Sequence, residues 1–241
     1  MTTRIKVNFI VKEGWMSNDN GKKAAGYAAA DFIQDGMMVG LGTGSTATYF
    51  IEKLGQRCRE GLNIQAVASS KRSQAQALDV GIIVADIQEI TSIDITVDGA
   101  DEIDENKRMI KGGGGALLRE KIMASMSREM IVIIDSSKEV KFLGSFPLPV
   151  EIVPFAFKST INKIEKMGYQ GFLRMTSDKK IFMTDNQNFI YDIHLSSPCL
   201  NPEKDEEQLR SIVGVVETGF FFKLAGRVIV GFDDGKVKIR S

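Results

Sequence analysis

Apolar positions in this chain switch between two spacings. Ala24, Ala25, Ala28, Ala29 and Phe32 recur at the interval of a helix over Asn20 to Ile33, with Asn18 or Asn20 available as N-cap. Met37 to Leu41 then reads as a short buried strand, and Ala47 to Leu54 as a helix entered through Gly42-Thr43-Gly44-Ser45-Thr46. Ile64 to Ala68, Ile82 to Ala85, Ile93 to Val97 and Met130 to Ile134 read as further strands, with helices over Ser73 to Asp79 and Ala116 to Met126. This alternation predicts an α/β fold with a doubly wound, mostly parallel sheet. In the last of these helices Leu118, Ile122 and Met126 form an apolar stripe, and Glu120 shares a second line with Ala116 and Ala124.

Phe146-Pro147-Leu148-Pro149 interrupts the pattern, and the organisation changes beyond it. Strands are expected over Val150 to Val153 and Phe172 to Met175, and helices over Phe157 to Met167 and Glu203 to Ile212. Ile181 to Thr184 and Phe189 to Ile193 are expected to form a hairpin about Asp185-Asn186-Gln187-Asn188, with one strand over Val215 to Phe222. Two helices on an antiparallel sheet of ferredoxin-like order is the economical reading. Val228 to Val230 and Val237 to Ile239 close the chain as a hairpin. The expected division is 19–146 with 217–241 as one domain and 147–216 as a small α+β domain. Residues 1–18 form a loosely ordered extension, although Ile5 to Val11 looks strand-like.

Charge narrows the choice of partners. The 31 basic and 31 acidic residues balance, which gives no electrostatic reason to bind nucleic acid or an anionic membrane and favours a small molecule. No apolar run approaches the roughly 20 residues of a membrane span. Cys58 and Cys199 sit far apart and in no ligand motif, so reduced thiols and a cytoplasmic location are expected.

Candidate chemistry concentrates in two places. Strand, Gly/Ser/Thr turn and helix N-terminus at Thr43, Gly44, Ser45 and Thr46 make an anion cradle. It lacks the lysine of a Walker loop and the third glycine of a dinucleotide fingerprint, so a monophosphate fits best. Lys22, in the first turn of its helix, opposes the helix dipole, a placement that a nearby anion would explain. The second place begins where the strand Ile93 to Val97 ends. Asp98-Gly99-Ala100-Asp101 puts two carboxylates on a turn, and Lys111-Gly112-Gly113-Gly114-Gly115 strips side chains from a second loop, with Lys111 before it and Glu120 after it. Packing among small residues would desolvate Glu120 and raise its pKa; the bland alternative is a surface glutamate paired with Arg119 or Lys121. Two carboxylates beside a lysine would titrate together. His194 reads as a structural residue at a strand end. An all-oxygen Mg²⁺ site at Asp98, Asp101 and Glu102 stays open on residue type alone.

Together, Gly-Leu-Gly-Thr-Gly-Ser-Thr, Asp-Gly-Ala-Asp-Glu-Ile, Lys-Gly-Gly-Gly followed by Arg-Glu-Lys-Ile, Ser-Lys-Glu and Phe-Pro-Leu-Pro-Val-Glu resemble ribose-5-phosphate isomerase of the A type, over about Gly21 to Ile239. The resemblance implies a Rossmann-like catalytic domain with an inserted α+β domain, no cofactor, and a homodimer or higher assembly. It implies interconversion of ribose 5-phosphate and ribulose 5-phosphate through an enediolate. Thr43 to Thr46 would bind the phosphate and substrate, with Lys22 near the phosphate. Asp98 to Asp101 would form the acidic loop, Lys111 to Gly114 the glycine loop, Glu120 the base, and Lys138 a substrate contact. Lys111 would stabilise the oxyanion, and Asp98 and Asp101 would orient hydroxyls. Gly115 stands where the family often has alanine, and Ser69-Ser70-Lys71-Arg72 is more basic than the usual turn. A sugar-phosphate sensor, or a deaminase or acyl-CoA transferase of related architecture, are the competing readings.

Overall fold

The computed structural model describes residues 19–195 and 198–241. The expected extension over residues 1–18, and Asn18 as a cap, lie outside them. In chain order the elements are α1 (Asp19–Ala30), β1 (Met38–Leu41), α2 (Ser45–Arg59), β2 (Gln65–Ala68), α3 (Lys71–Asp79), β3 (Ile93–Asp98), β4 (Glu102–Ile103), β5 (Met109–Ile110), α4 (Leu117–Met126) and β6 (Ser127–Asp135). They continue with β7 (Leu148–Ile152), α5 (Phe157–Lys166), β8 (Gly171–Leu173), β9 (Phe189–Ile193), α6 (Pro202–Arg210), β10 (Val215–Thr218), β11 (Phe220–Phe221), β12 (Ala225–Gly231) and β13 (Val237–Arg240).

The apolar strands collect into a six-stranded sheet of order β13-β12-β6-β3-β1-β2, parallel except for the β12–β13 hairpin. Ala25, Ala29, Phe50, Ile51 and Leu54 from α1 and α2 cover one face, and Leu117 and Ala124 from α4 pack with Val132, Val228 and Val230 on the other. Both faces of the inner strands β1, β3, β6 and β12 are largely dry, which is why they read as apolar runs rather than as alternating patterns; the edge strand β13 is exposed. The chain passes outward from β1 to β2 and returns to the far side of β1 as β3. The carboxyl ends of β1 and β3 therefore flank a crevice at the point where the winding direction changes.

The second sheet is antiparallel in order β10-β7-β9-β8, with α5 and α6 packed through Ile164 and Leu209, so the ferredoxin-like arrangement is present. A third, three-stranded sheet, β11-β5-β4, was not anticipated. The strand expected over Val215 to Phe222 is two strands in two sheets, broken at Gly219. Gly219 donates its amide to Pro149 O at 2.7 Å and accepts from the Lys111 amide at 2.8 Å, and a Cβ there would stand 2.4 Å from Lys111 O.

Other expectations need correction. Ile82 to Ala85 is reduced to a bridge between Val84 and Ala66, because Asp86 immediately turns the chain by capping a 3-10 turn over Ile87–Glu89. Ile181 to Thr184 forms no hairpin with Phe189 to Ile193. Both edges of β9 are occupied, by β7 and β8, and Thr184 to Asn188 closes a local turn instead. In α4 the buried positions are Leu117, Glu120, Met123 and Ala124, while Ile122 of the expected stripe is exposed. The Leu148-Pro149 pair, expected to mark a break, lies inside β7.

Helix α1 crosses the end of β12 so closely that a Cβ on Gly231 would lie 1.9 Å from Gly21 O. Backbone on both sides leaves nothing to rotate away, so Gly231→Ala is expected to destabilise the fold by about 1–3 kcal/mol, read as a lower urea midpoint. An unchanged midpoint would contradict this packing.

Candidate active site

Loops at the carboxyl ends of β1, β3 and β6 and the turn entering α4 enclose one cleft with about 150 Å³ of free volume. The residues predicted from the sequence meet there. Lys22 reaches it from α1, Thr43 to Thr46 from the β1–α2 turn, and Gly99, Ala100 and Asp101 from the loop after β3. Lys111 to Gly114, Glu120 from α4, and Lys138 complete the wall, with Asp98 immediately behind Lys111. Asp135, at the end of β6, also lines the cleft and was not singled out from the sequence. Its signal was available, since an Asp followed by Ser-Ser-Lys at a strand end has the same form as Asp98 at the end of β3.

At the centre is an ammonium group between carboxylates. Lys111 Nζ donates to Asp98 Oδ2 at 2.9 Å and to Gly99 O at 2.6 Å, and lies 3.3 Å from Glu120 Oε2. All three side chains are almost fully buried: Asp98 is 1 % exposed, Lys111 3 % and Glu120 3 %. The reading of Glu120 as an exposed helix residue is thereby excluded. Its neighbours Arg119 and Lys121 pair elsewhere, with Asp185 and with Glu217. Glu120 Oε2 is buried without a hydrogen-bond partner. Burial, followed by the charge of Asp98, pushes the Glu120 carboxyl up to about 8, against the opposing pull of Lys111. Burial pulls the Lys111 ammonium downward, but Asp98 and Glu120 outweigh it and its pKa is raised.

The two acidic-loop carboxylates are used differently. Asp98 Oδ1 accepts from the amides of Thr43 at 3.0 Å and Gly99 at 2.8 Å, while its other oxygen holds Lys111. Gly42 must lack a side chain here, because a Cβ would fall 2.1 Å from Asp98 Oδ1. Asp101 is half-buried and faces the cleft. Its Oδ2 accepts from the Gly113 amide at 2.7 Å, and burial raises its pKa against the pull of that amide and of Lys111. Glu102 does not join them. Its oxygens accept from the amides of Gly144 and Phe146, which removes one ligand from the Mg²⁺ alternative. Among the described residues no group of three or more His, Cys, Asp or Glu side chains is placed to hold a metal ion.

The expected anion cradle, Thr43 to Thr46, lies at the start of α2 and lines the cleft. Gly44 precedes α2 at φ 122° and no side chain caps the helix, whose first intrahelical bond runs from Thr48 N to Gly44 O. The amides of Ser45, Thr46 and Ala47 therefore lack intrahelical acceptors and suit a phosphate. The Thr43 hydroxyl, by contrast, is surrounded by those of Ser69, Ser70 and Ser73 at 2.8, 2.8 and 3.2 Å, so it braces the loop against α3. Lys71 and Arg72 are exposed and outside the cleft wall. His194 is exposed beyond β9, next to Phe172.

A family model described as Ribose 5-phosphate isomerase A (phosphoriboisomerase A) matches residues 65–235. The chain belongs to the ribose-5-phosphate isomerase A family. A relative named ribose-5-phosphate isomerase A from Protochlamydia amoebophila is 54% identical over 218 residues, covering 90% of this chain and 94% of the relative. One of the same name from Bacillus mycoides is 48% identical, covering 90% and 97%. Among solved structures, ribose 5-phosphate isomerase A from Methanocaldococcus jannaschii superposes with a TM-score of 0.87 at 37% identity, covering 93% of this chain and 100% of that one. A D-ribose-5-phosphate isomerase in complex with phospho-erythronic acid matches with a TM-score of 0.85 at 39% identity, covering 91% and 97%. Gly115, at the end of the glycine loop, lies against Phe182. Its φ is +81°, and a Cβ would lie 2.4 Å from the Phe182 ring.

Two outcomes follow from the buried charges. Glu120 binds its proton more tightly folded than unfolded, so stability present below pH 4.5 is lost as pH rises toward about 8. Glu120→Gln should therefore flatten the decline in melting temperature over that interval, and an unchanged slope would contradict the burial. Lys111→Met should destabilise by about 3–5 kcal/mol in chemical denaturation, because two buried carboxylates lose their counter-charge.

Proposed function

We infer that this protein is an aldose–ketose isomerase that interconverts ribose 5-phosphate and ribulose 5-phosphate. Family membership supports the activity. The observation that carries the assignment of chemistry is the buried Glu120 carboxylate, facing the cleft 3.3 Å from the Lys111 ammonium. Moving a proton between C2 and C1 needs a base on carbon, a charge opposite the enediolate oxygen, and a carrier for the hydroxyl proton. In this reading ionised Glu120 takes the C2 proton, the bonding pair shifts into C1–C2, and O1 gains the charge opposite Lys111. Glu120 then returns the proton to C1, giving the ketose. Asp101 carries the proton lost by O2 to O1 and helps open the sugar ring. Asp98, with both oxygens engaged, holds Lys111 and the phosphate loop in place. The α2 amides, Ser45, Thr46 and Lys22 receive the phosphoryl end, and Lys138 binds substrate.

Residues 19–146 with 217–241 form the catalytic domain, and 147–216 the small one; sheet membership supports two units but carries the small sheet through Thr218, the end of β10. No helix among the described residues is long and apolar enough to cross a membrane. A homodimer or higher assembly and a cytoplasmic setting complete the proposal.

Incubated with ribose 5-phosphate in deuterated water, the protein should yield ribulose 5-phosphate carrying deuterium at C1. Glu120→Gln should lower kcat by about 10²- to 10⁴-fold with little change in KM. Because Glu120 acts ionised, kcat/KM should fall on the acid side with an apparent pKa near 8 rather than the usual 4.5. Near-normal turnover in Glu120→Gln would remove this residue from the mechanism.

A further inference from the structure

The glycine loop has no side chains of its own by which it could be held. Gly112 is at φ +103° and Gly115 at φ +81°, and Gly113 and Gly114 between them are exposed. Peptide groups flanked by glycines rotate at low cost. Yet one of them has a defined duty. The Gly112–Gly113 peptide directs its N–H at Asp101 Oδ2 at 2.7 Å. Turned over, the same peptide would present a carbonyl oxygen to that carboxylate.

The opposite end of this peptide is gripped by a residue from the other sheet. Arg174, just beyond β8, donates from Nη1 to Gly112 O at 2.8 Å and to Gly113 O at 3.2 Å. Its remaining donors form a two-point ion pair with Asp192 of β9, Nε to Oδ2 at 2.8 Å and Nη2 to Oδ1 at 2.5 Å. Arg174 and Asp192 side chains are 14 % and 7 % exposed, and the guanidinium lies 5.7 Å from the Phe182 ring that packs on Gly115. Because an arginine fork has fixed geometry, anchoring one edge to a carboxylate on a strand determines where the other edge points.

We propose that Arg174, oriented by Asp192, is a positioning residue for the isomerisation: it holds the Gly112–Gly113 peptide in the one orientation that donates to Asp101. The inference rests on the isomerase reading above and adds to it a dependence of the Asp101 environment on the small antiparallel sheet. The guanidinium also polarises the peptide it binds, which strengthens the hydrogen bond that the N–H donates to Asp101. A lysine could reach one carbonyl but could not hold the carboxylate and the peptide at once in fixed geometry.

The test compares wild type, Arg174→Ala, Arg174→Lys and Asp192→Asn with ribose 5-phosphate as substrate. Loss of a charged hydrogen bond predicts kcat about 10- to 100-fold lower in Arg174→Ala with KM changed much less, and a smaller loss in Asp192→Asn. The pH profile of kcat should move to higher pH in Arg174→Ala, since Asp101 loses a donor to its ionised form. Millimolar guanidinium chloride, well below denaturing levels, should restore part of the Arg174→Ala rate, and methylammonium less. A folded Arg174→Ala enzyme with wild-type kcat and pH profile overturns the proposal. So does a loss of rate that only tracks the unfolded fraction and that guanidinium does not relieve. If Arg174→Ala fails to fold, Asp192→Asn and Arg174→Lys decide by the same two readouts. A wild-type protein that turns over no ribose 5-phosphate would instead defeat the isomerase reading.

Discussion

A single ammonium group set among buried carboxylates constrains the rest of this molecule. Lys111 is almost without solvent, and so are Asp98 and Glu120. An isolated charge in such surroundings would be strongly disfavoured, and two like charges more so. The arrangement persists because Asp98 and Lys111 are tied to backbone as well as to each other. Asp98 takes two amides and Lys111 takes the Gly99 carbonyl, whereas Glu120 Oε2 has the Lys111 charge 3.3 Å away but no hydrogen bond. That imbalance makes Glu120 the group that most readily exchanges a proton, which is what the proposed chemistry asks of it.

Holding these charges together requires several parts of the chain to meet at one edge. The change of winding direction between β1 and β3 supplies the crevice, and the uncapped start of α2 supplies amides for an anion. Glycines then remove obstacles where backbone and carboxylate come closest. Gly42 makes room for Asp98 and Gly113 for Asp101, whose Oδ1 would lie 2.6 Å from an added Cβ. Cleft and sheet are thus one structure: the strands that build the core also place the acidic groups.

The two antiparallel sheets contribute more than bulk. Gly219 is the crossing between them, and its carbonyl accepts the Lys111 amide, so the lysine is positioned by the β10–β11 link, more than 100 residues later in the chain. Arg119, beside Glu120, donates to Asn186 Oδ1 and the Asp185 carbonyl in the turn of the small sheet, and Arg174 reaches the glycine loop from the same side. The helix with the proposed base and the loop with the proposed hydrogen-bond donors are both tethered to the β7–β10 sheet. Motion of that sheet would be felt at the cleft.

Much of this was legible in the residues alone. Apolar runs and helical spacing marked the parallel sheet, and glycine, carboxylate and lysine at the ends of strands marked the loops that meet in the cleft, because ligand sites in such sheets lie where strands end. Periodicity did less well where pairing partners decide the outcome. Ile82 to Ala85 looks like a strand but keeps one bridge, and Ile181 to Thr184 loses its expected partner because β7 and β8 already occupy both edges of β9. By itself the sequence determined the class of fold and which loops carry the glycine, carboxylate and lysine residues that meet in the cleft, since both follow from local pattern and residue chemistry. Only the tertiary structure decided that Glu120 is buried and not paired on the surface, that Thr43 braces the loop, and that Glu102 turns away, because each depends on residues distant in the chain: desolvation and hydrogen-bond partners are properties of the packed molecule.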